Sequence, residues 1–305
     1  MPVNLRTLDL NLLLVFDALM QEQNLSRTAQ RLHLSQPAVS NALARLRAQL
    51  GEPLFVRTAR GMSPTPQAQA LYEPVRQALH LLRLGLDARE AFDPAGEHLF
   101  RLSMNDYAQA ILLPSLLARL SEHAPRTVLS VQGDDAETLT RRLAGGELDL
   151  AIDYLYFDDD QLCYQPLLTE QLVVIGRAGH PAFAGGLDLD GYQRSQHVSI
   201  LPRAGRGSPL EIVLGSAKVR RQTQLHVPHY LTIPPIVARS ELLGTVPRRL
   251  AEQFAPVYAL EVAPLPVEMP DVQVSLIWHR QQELSPGLRW LRERIGQVCT
   301  SLAVG

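Results

Sequence analysis

The sequence predicts a multi-domain fold in which a small all-α domain and a long helix precede an α/β domain of two lobes. Three observations lead to this fold class. Closely spaced capped helices fill the first 65 residues, one amphipathic pattern continues over 66–91, and strands alternate with helices within 92–305. A chain of 305 residues is long enough for two or three such domains with their own cores.

Composition narrows the class of protein. Apolar residues make up 46% and charged residues 20%, as in ordinary soluble proteins. No apolar run approaches the roughly 18 residues of a membrane helix, and the N-terminus lacks a signal-type segment, so we expect a cytoplasmic protein without a membrane partner. The two cysteines, Cys163 and Cys299, lie far apart. They support neither a disulfide framework nor a zinc cluster, and we expect no metal and no cofactor.

A capped helix with a polar outer face is predicted from Ser35 to Arg47. Ser35 is a good N-cap, and Pro37 near the first position sacrifices no helical hydrogen bond. Val39, Leu43 and Leu46 recur at helical spacing and can face a core. The opposite face then carries Gln36, Ser40, Asn41 and Arg45. Gln and Asn can pair with adenine, and Arg with guanine, in the major groove. The alternative is a solvated helix face.

The preceding residues complete a helix-turn-helix pattern. Residues 25–32 form a helix in which Ser26 is a candidate cap and Ala29 and Leu32 face inward. His33 occupies the turn and tolerates a left-handed backbone better than most residues. Two helices joined by so tight a turn are typical of DNA-binding proteins. Residues 9–22 form a first helix behind them, with apolar positions at Leu10, Leu13, Phe16, Ala18 and Leu19.

A wing follows the second helix of this motif. Gly51 ends that helix, residues 53–57 and 62–64 form two short strands, and 59–61 form the turn. Arg57 and Arg60 on this wing can meet the DNA backbone or the minor groove, or can remain solvated. The first 66 residues carry seven arginines against four acidic residues, although the whole chain has a net charge of −2. This basic module on an acidic body indicates contact with double-stranded DNA through one end. The candidate DNA-binding residues are Arg27, Ser35, Gln36, Pro37, Ser40, Asn41, Arg45, Arg57 and Arg60.

A long helix is predicted over 66–91, opened by Thr65 and Pro66. Its apolar stripe consists of Leu71, Val75, Ala78, Leu82 and Leu86. At 1.5 Å per residue it reaches roughly 35 Å, more than a small winged domain can cover, so a partner helix is implied. A dimer would present two recognition helices about 34–36 Å apart to an inverted-repeat site.

The second half predicts two α/β lobes, the first formed by 97–165 and 266–305 and the second by 166–265. Strands are expected at 99–103, 128–131, 148–152, 172–176, 197–200, 220–226, 244–247 and 272–278, in parallel sheets covered on both faces. Ligands bind beyond the carboxyl ends of such strands. This rule selects Asn105 and Asp106, then Asp153, then Leu201 and Pro202. Asp106 can alternatively cap the next helix.

The N-terminal motifs resemble the signature of LysR-type transcriptional regulators. The matching residues are 10–13, Phe16, 32–40, Leu43, Arg45, Leu46, 53–57, Thr65 and Pro66. The match runs without a gap through about ninety residues, and the remainder resembles the branch of nodulation and salicylate-responsive regulators. The resemblance implies linker helices paired antiparallel in a homodimer that assembles to a homotetramer. It also implies a periplasmic-binding-protein-like effector domain of two Rossmann-like lobes, with RNA polymerase as a further candidate partner.

The same resemblance adds five residues to the candidate effector site: His197, His229, Arg249, Ile277 and Trp278. Two histidines, an arginine and an aromatic ring suit a carboxylate or phenolate ligand. His197, Ile277 and Trp278 can alternatively be core residues. Asp153 stands where relatives usually have a small residue, and it would repel an acidic ligand unless Arg203 or Arg249 pairs with it. A neutral, zwitterionic or amine-bearing aromatic is therefore the alternative effector.

The sequence thus predicts a non-enzymatic DNA-binding regulator controlled by a small molecule, such as an aromatic metabolite, bound between the two lobes. A solute-binding or enzymatic α/β protein is the first alternative. It is disfavoured because there is no Gly-rich phosphate loop, no Gly-x-Ser-x-Gly and no metal-type histidine spacing. A thiol redox sensor, resting on Cys163 and Cys299 alone, is the second.

Overall fold

The computed structural model describes residues 9–59, 61–87, 91–201, 210 and 221–304. The chain divides into two compact units. The N-terminal unit comprises residues 1–90 with 144–146, and the C-terminal unit comprises 91–143 with 147–305. No helix among the described residues has the length and apolar character needed to span a membrane.

The N-terminal unit has the predicted order of helices and wing strands. Its elements are α1 (Leu10–Glu22), α2 (Leu25–Arg31), α3 (Gln36–Leu50), β1 (Phe55–Thr58), β2 (Gly61–Pro64) and α4 (Pro66–Asp87). Phe16, Leu46 and Leu54 are fully buried in one core with Val75 of α4. Leu10 was expected to face inward but is exposed, and Leu12 and Val15 are buried instead.

Local signals set the ends of the three helices. The side chain of Ser35 caps α3 by accepting a hydrogen bond from the Ala38 amide at 3.3 Å, and Gly51 ends α3 with a φ of +78°. His33 has a φ of +54°, the left-handed conformation expected of this turn. The cap of α2 is Asn24 rather than Ser26, since the Asn24 side chain accepts from the amides of Ser26 and Arg27.

The wing is anchored on the turn between α1 and α2. β1 and β2 pair antiparallel, and the Met62 amide donates to the Gln23 carbonyl oxygen at 2.8 Å. Gly61 has a φ of +132°, and a Cβ there would lie 2.5 Å from the same carbonyl oxygen. Only glycine allows the wing to approach the helices so closely.

The described part of the C-terminal unit forms two five-stranded sheets. In chain order its elements are β3 (His98–Met104), α5 (Asp106–His123), β4 (Thr127–Gln132), α6 (Leu139–Ala144), β5 (Leu150–Asp153), β6 (Leu162–Glu170), β7 (Leu172–Arg177), α7 (Leu189–Arg194), β8 (Gln196–Ile200), β9 (Gln222–Val227), α8 (Ile233–Val237), β10 (Leu242–Pro247), α9 (Arg248–Tyr258), β11 (Leu260–Pro264), β12 (Val272–His279) and α10 (Pro286–Val304). Short 3₁₀ turns occupy Pro181–Phe183, Tyr230–Thr232 and Arg280–Leu284.

Both sheets are mixed, which corrects the expectation of parallel sheets. The first has the strand order β4-β3-β5-β12-β6, and β12 runs antiparallel to both of its neighbours. The second has the order β11-β7-β10-β8-β9, and β7 runs antiparallel to β10 and β11. β6 and β11 were not predicted. Because β6 belongs to the first sheet, the chain enters the second sheet between Glu170 and Leu172, and it returns between Pro264 and Val272.

Candidate DNA-binding surface and effector pocket

The outer face of α3 carries the polar side chains selected from the sequence. Gln36, Ser40, Asn41 and Arg45 are exposed, as are Ser35 and Pro37 at its start. Val39 and Leu46 on the opposite side are fully buried. Leu43, expected in the core, is only half-buried. Side chains that can hydrogen-bond to base edges therefore project from one face of a firmly packed helix.

The arginines of the N-terminal unit differ in whether they already have an ion-pair partner. Arg45 Nη2 lies 3.1 Å from the Asp9 carboxylate, and Arg31 Nη1 lies 3.2 Å from that of Glu22. Arg27 donates to the Glu22 carbonyl oxygen at 3.1 Å. Hydrogen bonds from the Asn11 backbone and side chain, together with Arg45, hold the pKa of Asp9 below its usual value. Arg60 lies outside the described residues.

A groove of about 740 Å³ separates α3 from the wing. It is lined by Leu25, Ser40, Leu43, Ala44, Arg47, Ala48, Gly51, Leu54, Phe55, Arg57 and Met62. Arg47 comes from the helix and Arg57 from the wing, and both are exposed. Sequence reasoning selected Arg57 and Ser40 here but passed over Arg47.

In the C-terminal unit, a small pocket lies where the two sheets meet. Its lining residues are Asn105, Tyr107, Ala108, Ile152, Asp153, Tyr154, Glu170, Leu172, Tyr230, Pro247, Val272 and Val274. These residues come from strands of both sheets, from the start of α5 and from loops or turns that follow strands. The cavity measures about 30 Å³, which is close to the volume of one water molecule.

A buried carboxylate forms one wall of this pocket, which we call the interlobe pocket. Glu170 is 3% exposed and receives a hydrogen bond from Arg249 Nη1 at 2.8 Å. The Tyr107 hydroxyl donates to the same carboxylate oxygen. Burial and the Glu170 charge raise the pKa of Tyr107, which keeps this hydroxyl protonated.

Two residues predicted at the strand ends, Asn105 and Asp153, also line this pocket, whereas Asp106 is not part of its lining. Asp153 is buried, and its Oδ1 accepts from the amides of Tyr154 and Leu155 at 2.7 and 3.0 Å. Asn105 is the cap of α5, since its side chain accepts from the Ala108 amide at 2.8 Å. Asp106 accepts from the Leu231 amide at 2.7 Å. Asp106 therefore connects α5 to the turn that carries Tyr230.

The structure places three other predicted residues away from the pocket lining. His197 is fully buried, its Nε2 donates to the Tyr192 carbonyl oxygen at 2.7 Å, and burial lowers its pKa to about 4. Ile277 is fully buried in the core beside Ala151, and Trp278 packs under the Arg292 guanidinium at 4.5 Å from the ring centre. β12 contributes Val272 and Val274 to the pocket instead.

The remaining candidates are not part of the described pocket lining. His229 is exposed and directly precedes Tyr230, and Arg249 reaches the pocket through Glu170. Leu201 is exposed at the end of β8. Pro202 and Arg203 lie outside the described residues.

Sequence reasoning missed Tyr107, Glu170, Tyr230, Val272 and Val274. Two of them carried a usable signal, because Tyr107 follows the selected loop at Asn105 and Tyr230 follows the carboxyl end of β9. Glu170 had no such signal, since it ends a strand that was not predicted.

The cysteines offer no activated thiol. Cys163 Sγ lies 3.5 Å from a Glu283 carboxylate oxygen, and burial together with that charge raises its thiol pKa. Burial raises the pKa of Cys299 to about 11. Redox sensing needs an accessible thiolate, so this geometry disfavours it. Among the described residues, no group of three His, Cys, Asp or Glu side chains is placed to hold a metal ion.

A helix-turn-helix with a polar reading face, joined through a long helix to two α/β lobes around a small pocket, defines a one-component, ligand-responsive transcription regulator. Comparison with models of protein families identifies the family to which this regulator belongs. Residues 10–69 match the bacterial regulatory helix-turn-helix protein model of the lysR family, and residues 95–300 match the LysR substrate binding domain. The chain belongs to the LysR family of transcriptional regulators.

Individual relatives match over almost the whole chain. The HTH-type transcriptional activator NahR of Pseudomonas putida is 37% identical over 98% of this chain and 100% of its own length. Nodulation protein D 1 of Bradyrhizobium sp. (strain NC92) is 33% identical over 97% of this chain and 95% of its own. Among solved structures, the probable transcriptional regulator PA0477 from Pseudomonas aeruginosa is 31% identical, with a TM-score of 0.74 over 97% of this chain and 98% of that one. The expected family and fold class are confirmed.

Proposed function

We propose that this LysR-type regulator binds an inverted-repeat DNA site as a dimer, and that an aromatic small molecule in the interlobe pocket controls its effect on transcription. The main support for this proposal is that one chain combines the exposed polar face of α3 with a pocket lined by side chains from both sheets. Because its target is DNA, we place the protein in the cytoplasm. We propose no catalytic activity.

For the DNA end, we assign base reading to Gln36, Ser40 and Asn41, which are exposed on adjacent turns of α3. Ser35 and Pro37 set where that helix begins. Arg27 and the wing residues Arg57 and Arg60 are assigned to the phosphate backbone. Arg45 remains a candidate contact to guanine, but it must first leave its ion pair with Asp9.

For the effector end, the side chains of the pocket favour an aromatic ligand that donates hydrogen bonds. Tyr107, Tyr230 and Val272 offer apolar surface, whereas Asp153 and Glu170 place two carboxylates in the lining. Arg249 already pairs with Glu170. A neutral or amine-bearing ring therefore fits better than a carboxylate. We assign Asn105 and Asp106 to the rim of the pocket on the first lobe, and His229 and Leu201 to its rim on the second lobe.

The pocket must expand to admit such a ligand. A cavity of about 30 Å³ is far smaller than the roughly 300 Å³ of ordinary ligand pockets. We propose that the ring separates Tyr107 from Tyr230, whose ring centres lie 6.4 Å apart. The ligand shifts the lobe equilibrium only by its difference in affinity for the two states.

Exposed apolar side chains support the dimer and the tetramer. On α4, Leu81, Leu82 and Leu86 are exposed, which suits pairing with the α4 helix of a second copy. The C-terminal unit exposes Leu117 on α5, Val128 on edge strand β4, Val257 on α9 and Val262 on edge strand β11. These exposed apolar side chains support self-association of the effector domains. RNA polymerase is the proposed partner for control of transcription.

The test is a binding assay in two stages at physiological salt. First, purified full-length protein is titrated with DNA from its own upstream region and with a scrambled duplex. Equal retention of both duplexes would overturn the proposal. Second, thermal unfolding is followed with phenol, benzylamine and benzoate, because a ligand of the folded state raises the melting temperature. A shift with benzoate alone would overturn the assigned ligand chemistry and leave DNA binding intact.

A further inference from the structure

We propose that the groove between α3 and the wing seats one sugar–phosphate strand of the bound DNA, and that Arg47 and Arg57 hold its phosphates from opposite sides. This inference rests on the proposed DNA binding. It names what occupies the groove between α3 and the wing, for which the assignment of base reading to α3 gives no role. It also adds Arg47, which no sequence motif selected.

The first observation is the direction in which Arg47 projects. Successive residues of an α-helix are rotated by 100°, so Arg47 and Ser40 share one stripe of α3, and Arg45 lies about 160° around the helix from Arg47. The lining of the groove agrees, because it includes Ser40, Ala44 and Arg47 but not Arg45. Arg45 instead reaches Asp9 before the start of α1. The two arginines thus occupy opposite edges of the reading face.

The second observation is which arginines near the groove already pair with a carboxylate. Among the described residues, Arg47 and Arg57 form no ion pair, whereas Arg27, Arg31 and Arg45 each lie near a carboxylate. The described residues of the lining include no acidic side chain. A phosphodiester is therefore the anion that this groove complements, and the guanidinium groups can contact its oxygens in pairs.

The third observation is the shape of the groove. Its lining includes the apolar side chains of Leu43, Leu54, Phe55 and Met62 and the small residues Ala44 and Ala48 of α3. Apolar surface suits the deoxyribose rings, and small residues allow the backbone to approach α3. When a helix occupies the major groove and an adjacent wing reaches the minor groove, the strand dividing those grooves passes between them.

Salt dependence provides the test. Each phosphate contact adds about 0.9 to the slope of log affinity against log salt. Removing one arginine from both subunits of a dimer, as Arg47→Gln or Arg57→Gln, should therefore lower that slope by about 1.8. Between 50 and 200 mM salt, the wild type should lose about 12-fold more affinity than either variant. Relative affinities for substituted operators should stay unchanged, because phosphates carry no base identity.

Two further variants sharpen the result. Arg47→Lys keeps the charge and should retain the wild-type slope. Arg194→Gln removes an exposed positive charge, paired with Asp190, from α7 in the C-terminal unit and should leave the slope unchanged. An unchanged slope in Arg47→Gln would overturn the assignment, and so would a change in its base preference. If the wild type itself shows no sequence-dependent binding, the proposed function fails instead, which separates the two outcomes.

Discussion

Arg249 donates a 2.8 Å hydrogen bond to the carboxylate of Glu170, a side chain that is only 3% exposed. Glu170 also accepts from Tyr107, a pocket residue on α5. The ion pair therefore connects α9, which joins β10 to β11 of the second sheet, to the wall of the interlobe pocket. A buried charge of this kind is stable only while its partners are present.

We expect Glu170→Gln and Arg249→Gln to destabilise the protein non-additively. Each variant removes a charged hydrogen bond, which costs about 1–3 kcal/mol, and a quarter-exposed Arg249 places the effect toward the lower end. The double variant should be less destabilised than the sum, with a coupling of about 0.5–3 kcal/mol. Thermal unfolding of the four proteins measures this cycle. Arg177→Gln, at the solvent-exposed pair with Glu241, is the control and should change little. Strict additivity would contradict the prediction.

The position of the wing depends on a glycine. In Gly61→Ala, a methyl group would lie 2.5 Å from the Gln23 carbonyl oxygen at a φ of +132°, so the wing must move. We expect a loss of about 1–3 kcal/mol of stability and weaker DNA binding. Gly51→Ala is the matched control, because the φ of Gly51 is also positive but no atom of the described residues lies within 4 Å of a Cβ placed there. It should cost about 1 kcal/mol. Equal losses in both variants would show that the contact with Gln23 is unimportant.

The ion pair between Asp9 and Arg45 should restrain DNA binding. Asp9→Ser keeps an N-cap for α1 but removes the carboxylate that lies 3.1 Å from the guanidinium. We expect tighter DNA binding and a steeper salt slope, because Arg45 becomes free to reach DNA. Fluorescence anisotropy with labelled operator DNA measures both. Combining Asp9→Ser with Arg45→Ala should abolish the gain. If the double variant still bound DNA more tightly, the cause would be the loss of the negative charge of Asp9 rather than the release of Arg45.

Features set by residues close together in the sequence were predictable, whereas features set by residues far apart in the sequence were not. Ser35, His33 and Gly51 act on their own backbone neighbours, so their cap, turn and helix end were predictable. β6 and β11 were missed because they are edge strands that contain Pro166 and Pro264, residues that weaken a strand pattern. Because β6 was not predicted, Glu170 at its end was not recognised as a candidate pocket residue. The contact between Arg45 and Asp9 spans 36 positions and has no local pattern.

Burial of His197 should make stability depend on pH. Its folded pKa is lowered to about 4, whereas the unfolded ring titrates near 6.5, so between these values the unfolded state binds more protons. Stability should therefore fall as pH decreases through this window, by about 2 kcal/mol between pH 7 and pH 5 from this group. Melting temperatures of wild type and His197→Gln across pH 5–7 measure the difference. Parallel pH profiles would contradict a buried neutral His197.

Val272 and Ile277 lie five residues apart on β12, and only Val272 lines the interlobe pocket. Val272→Ala enlarges the cavity beside Tyr107 and Tyr230, so we expect the thermal shift caused by an aromatic ligand to change while DNA affinity in its absence is retained. Ile277→Val removes one methylene from a closed core, which costs about 0.5–1.5 kcal/mol of stability. It should leave the ligand-induced shift at its wild-type size. Ligand titrations of both variants by thermal unfolding measure the contrast. If Ile277→Val altered the ligand response and Val272→Ala did not, the pocket would have to lie deeper in the first sheet, where the resemblance to relatives had placed it.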